Sequence, residues 1–76
     1  MTAMNAHQVR ESVRHYGDEL LRLEAAPRCL KGIRALSEQI RSLILTAPIC
    51  SEPLFAEARC CAEMLNRLSR LKREAR

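Results

Sequence analysis

Pro27 and Pro48 set the limits within which this chain can be helical, because a proline inside a helix removes a backbone hydrogen bond and clashes with the preceding turn. Between these breaks the apolar residues recur at alternating spacings of three and four. Ala6, Val9, Val13, Tyr16, Leu20 and Leu23 share one side of a helix over about 5–25, a pattern that strand alternation does not fit. Cys29, Ile33, Leu36, Ile40, Leu43 and Ala47 repeat it over 27–47, and Leu30 and Ile44 widen the apolar arc to about 140°. A third helix over 52–74 has Leu54, Ala58, Cys61, Leu65 and Leu68 as its expected seam. Met64 and Leu71 lie on one flank of that seam, and Phe55 and Ala62 on the other, so its arc exceeds roughly half the circumference.

Local chemistry marks the ends of these helices. Asn5 and Gln8 have the spacing of a capping box, with Thr2 as a competing start. Pro27 suits the first position of the second helix, and Ser51 suits the cap of the third, with Pro53 in its first turn. Gly17 has two readings, as a site of close helix packing or as a tolerated weakness that costs about 1 kcal/mol relative to alanine. The expected fold is all-α: a single helical domain over 1–76, either a three-helix bundle or a helical hairpin with an additional N-terminal helix. The first helix either folds back on the hairpin or packs on another chain. The wide third arc suggests completion by self-association or a partner.

Size makes that expectation consequential. A chain of 76 residues and 8.7 kDa buries only somewhat over ~60% of its extended surface, so an isolated monomer is marginal. Four cysteines offer a remedy that geometry withdraws. Cys29 and Cys50 stand at opposite ends of the second helix, about 30 Å apart, whereas a disulfide needs Cα atoms within about 7 Å. An antiparallel third helix places Cys60 and Cys61 near the middle of the second, away from both. Cys29 and Cys61 are expected to be small buried hydrophobes, and Cys50 and Cys60 partly exposed thiols open to redox chemistry.

No metal, cofactor or catalytic set is expected. The cysteines lack paired zinc spacing, and His7 and His15 have no nucleophile at a readable distance. Glycine-rich phosphate loops and HExxH are absent, so an enzyme is not expected. Met1 to Gln8 holds no lysine or arginine followed by an apolar run, and the longest uncharged stretch, 42–51, is too short to span a bilayer. A cytoplasmic protein is the resulting expectation.

Two kinds of partner fit the remaining features. Residues 1–26 carry three basic and four acidic groups, 27–50 four and one, and 51–76 six and four, so the net charge of +4 resides on the second and third helices. Lys31, Arg34, Arg41, Arg67, Arg70, Lys72, Arg73 and Arg76 are therefore the candidate nucleic-acid contacts. Against that, the third helix begins with acidic residues, and no interleaved aromatics offer a stacking platform. The stronger expectation is a protein-interaction module, such as an adaptor, chaperone or regulator. It would form a homodimer or a heterocomplex with a helical protein through Leu45, Ile49, Leu54, Phe55, Met64, Leu68 and Leu71.

Overall fold

The computed structural model describes residues 5–25, 29–46 and 53–75. These form three α-helices, α1 (Ala6–Ala25), α2 (Leu30–Thr46) and α3 (Phe55–Glu74), and every pair of them packs together. Helix α1 therefore folds back onto the α2–α3 hairpin within its own chain. The result is an elongated bundle of 40 × 23 × 16 Å.

The start of α1 is chemically explicit. The Asn5 amide donates to Oε1 of Gln8 at 3.0 Å, and the Gln8 amide donates to Oδ1 of Asn5 at 2.8 Å. Two helix-end donors are thereby satisfied reciprocally, while the Asn5 carbonyl accepts from Val9. Helix α2 begins after Cys29, whose carbonyl accepts from Ile33. It therefore starts three residues later than expected, and Pro27, the residue assigned to its first turn, lies outside the described residues, as do Ala47, Pro48 and Ser51. Helix α3 also starts late. Leu54 occupies its cap position without a side-chain hydrogen bond, so Pro53 precedes the helix instead of sitting in its first turn. Leu54 is held instead by burial, and its carbonyl accepts from Ala58.

The buried residues follow heptad spacing in all three helices. Val9, Val13 and Leu20 of α1 meet Ile33, Leu36, Ile40 and Leu43 of α2 and Cys61, Met64, Leu68 and Leu71 of α3 in one apolar cluster. Spacings of three and four keep one stripe of each helix facing the bundle axis. The stripe of α3 differs from the expected one: it runs Leu54, Glu57, Cys61, Met64, Leu68, Leu71, while Ala58 is exposed and Leu65 only half-buried. The core axis is thus rotated toward the Met64 and Leu71 flank. Because α3 contacts both α1 and α2, its wide apolar arc is largely consumed within the chain.

The two glycines occupy different settings. A β-carbon on Gly17 would meet no atom within 4 Å, which resolves its two readings in favour of a tolerated weakness. Gly32 is instead a point of close approach between α1 and α2, where a β-carbon would lie 3.0 Å from a methyl group of Leu23.

Candidate interaction surfaces

The side chains expected to form an apolar docking surface divide into two groups. Leu54, Met64, Leu68 and Leu71 are buried, with Met64 and Leu68 only 3% and 1% exposed, because they form the inward stripe of α3. As accessible docking residues they are corrected to core residues. Leu45 and Phe55 are 80% and 79% exposed, at the end of α2 and the beginning of α3 respectively. Ile44 borders them at 38%, and Ile49 lies outside the described residues. A fourth exposed side chain, Leu21 on α1 at 58%, was missed. The helical wheel could have found it, since Leu21 falls off the three-four ladder that carries Leu20 and Leu23 inward.

The basic residues divide as well. Arg67 turns toward α1, where its Nε donates to Oε2 of Glu24 at 3.0 Å and its Nη2 donates to Oε1 of the same carboxylate. The hydrogen bond to Glu24 pushes the Arg67 guanidinium above its usual value, so it stays charged. Arg70 lines a small hollow beside that pair, with Glu24, Leu71 and Glu74. A second link between these helices joins Arg10 to Glu57 at 3.6 Å. Glu57 occupies a stripe position of α3, and this contact explains how a carboxylate is accommodated there.

Arg34, Arg41 and Lys72 lie elsewhere, around a hollow of about 280 Å³ between α2 and α3. Lys72 and Arg73 line an adjoining hollow of about 470 Å³ with Leu30. Both hollows share Ser69 and Lys72, so they form one open groove along the α2–α3 face. Lys31 is exposed on α2, and Arg76 lies outside the described residues. Of the described cations, Arg67 and Arg70 thus lie with carboxylates on the α1–α3 side, while Arg34, Arg41, Lys72 and Arg73 line the α2–α3 groove, where Glu38 is the one carboxylate in the lining.

The thiols follow the same logic of position. Cys61 sits in the core, and burial, reinforced by Cys60 and Glu57, pushes its thiol up from the ordinary 9.0. Cys60, one residue before it, is exposed. Cys29, just before α2, is corrected from buried to exposed. Cys50 lies outside the described residues. His7 and His15 are exposed on α1. Among the described residues, no group of three or more His, Cys, Asp or Glu side chains converges as a metal site, and no side-chain polar atom is buried without a hydrogen bond. No helix among them is long and apolar enough to cross a membrane. In comparisons with known proteins, no family model, no curated protein and no solved structure matches the chain.

Proposed function

We propose that the chain is a non-enzymatic, cytoplasmic protein-interaction module that holds a different protein against the end of the bundle where α2 finishes and α3 begins. An adaptor, a chaperone and a regulator all use this mode. The observation that carries the reading is the exposure of Leu45 and Phe55 at about four-fifths each, on two packed helices that flank the same connection. Fully wet leucine and phenylalanine side chains each forgo about 1.5–3 kcal/mol of burial. Neither is needed by the core beneath.

The small apolar area favours a different protein over a symmetric pair held by these residues alone. Leu45, Phe55 and the exposed part of Ile44 together offer about 400 Å² per chain, or about 800 Å² for a symmetric pair, below the ~1,200 Å² of a stable interface. A different protein can cover this patch and neighbouring surface at once. A photoreactive amino acid placed at position 45 or 55 in the producing cell tests the reading, with position 14 on α1 as the exposed control. The expected result is one dominant heterologous adduct from both test positions and none from the control. Adducts of equal yield at all three positions would overturn it, and an adduct to a second copy alone would replace it with self-association.

A further inference from the structure

The groove between α2 and α3 carries charge that the fold does not use. Arg34 and Arg41 are seven residues apart, which sets them about 10 Å apart on one side of α2. Across the groove Lys72 and Arg73 run alongside from α3. All four are exposed, and none makes an ion pair within 4.0 Å among the described residues, although Glu38 lines the same hollow between Arg34 and Arg41. The arginines of α1 behave otherwise: Arg10, Arg14 and Arg22 each face a carboxylate, at 3.6, 4.0 and 2.9 Å.

Helix electrostatics explains only part of the groove. Lys72 and Arg73 stand in the last turn of α3, where the dipole favours cations. Arg34 stands near the positive end of α2, whose first turn holds Lys31 and no acidic residue. Cations there oppose the dipole, so their placement does not serve the helix that carries them. At its Leu30 end the groove is mainly apolar, with Leu30 half-buried there.

A surplus of cations on both rims of a groove that becomes apolar at its Leu30 end is the complement of a helix with one apolar stripe flanked by carboxylates. We infer that the α2–α3 groove is a docking site for an acidic amphipathic helix of a partner protein. The inference rests on the interaction-module reading but on different residues, so each can fail without the other. A nucleic-acid strand fits the same charge less well. It brings a phosphate at every residue, yet Glu38 lies in the groove between Arg34 and Arg41. Its bases need stacking platforms, and the groove offers no aromatic side chain. A peptide helix can place a neutral residue opposite Glu38 and keep its carboxylates for the rims.

The test titrates the full chain into a fluorescent synthetic helix with leucines along one face and glutamates on both flanks. Two further probes are a scrambled peptide of the same composition and a uridine oligonucleotide of matched charge. We expect saturable binding of the amphipathic peptide that weakens steeply with salt, falls about tenfold or more in Arg34→Glu/Lys72→Glu, and is unchanged in Leu45→Asp/Phe55→Asp. Circular dichroism confirms that both variants keep their helices. Backbone NMR shifts on binding should map to α2 and α3 and spare the outer face of α1, a readout independent of any variant. Equal binding of the scrambled peptide, tighter binding of the oligonucleotide, or no binding at low salt would each overturn the inference. Loss of binding in the Leu45/Phe55 variant alone would also overturn it, while leaving the interaction-module reading in place.

Discussion

Gly17 and Gly32 present the same residue with opposite consequences. Gly17 faces open space within a regular helix, so Gly17→Ala should raise stability by about 0.5–1 kcal/mol through lower backbone entropy in the unfolded chain. Gly32 lies against Leu23, and Gly32→Val should cost about 1–3 kcal/mol by overpacking the α1–α2 contact. Urea titrations of the two variants check both signs. The adjacent cysteines supply a second pair of contrasts. Cys60 is exposed and should alkylate without unfolding, whereas Cys61 should react only as fast as the bundle opens. Burial holds the Cys61 proton more tightly in the folded state than in the unfolded one, so its stabilising effect is complete below pH 9.0. As pH rises past 9.0 the unfolded chain loses that proton first and the contribution falls away through the raised folded value. The stability of Cys61→Ala should therefore decline less between pH 8 and the alkaline limit than that of the unmodified chain; parallel declines would contradict the assignment.

At the level of helices, the seam of α3 separates what could be read in the sequence from what could not. The ladders of α1 and α2 were legible because one flank of each is polar, and the Asn5–Gln8 box was legible because its spacing is chemical. In α3 the expected Leu54, Ala58, Cys61, Leu65, Leu68 and the observed Leu54, Cys61, Met64, Leu68, Leu71 share three residues and differ by flank. Glu57 disfavoured the true stripe, and only the long-range contact with Arg10 shows why a carboxylate is tolerated there. Arc width was likewise ambiguous, since it does not say whether the second neighbour belongs to the same chain. The observed stripe predicts a cost of about 2–5 kcal/mol for Met64→Ala and clearly less for half-buried Leu65→Ala. The reverse order in thermal unfolding would restore the other seam. Between α1 and α3, a double-mutant cycle on Glu24→Gln and Arg67→Met should give a coupling of about 1 kcal/mol or less, because both side chains remain partly in water.

Across the whole molecule, ion-paired and surplus charges occupy different sides. The ion pairs Arg67–Glu24 and Arg10–Glu57 tie α1 to α3, whereas in the α2–α3 groove Arg34, Arg41 and Lys72 outnumber one carboxylate, Glu38. Like charges about 8 Å apart in water repel by about 0.5 kcal/mol, which sets the scale for the like-charged side chains that line the groove. Salt weakens the favourable pairs and the repulsion together, so the salt dependence of one protein does not separate them. A comparison with the doubly neutral variant does, because Arg34→Gln/Lys72→Gln leaves the α1–α3 pairs intact. The variant should be the more stable of the two at low ionic strength, by about 0.5–1 kcal/mol, and the gap should close near 1 M salt, where the Debye length is about 3 Å. In thermal melts this is a gap of a few degrees that disappears as salt is added. A variant less stable than the unmodified chain at low salt would mean that these cations support the fold, and the groove would lose the surplus charge on which its proposed partner depends.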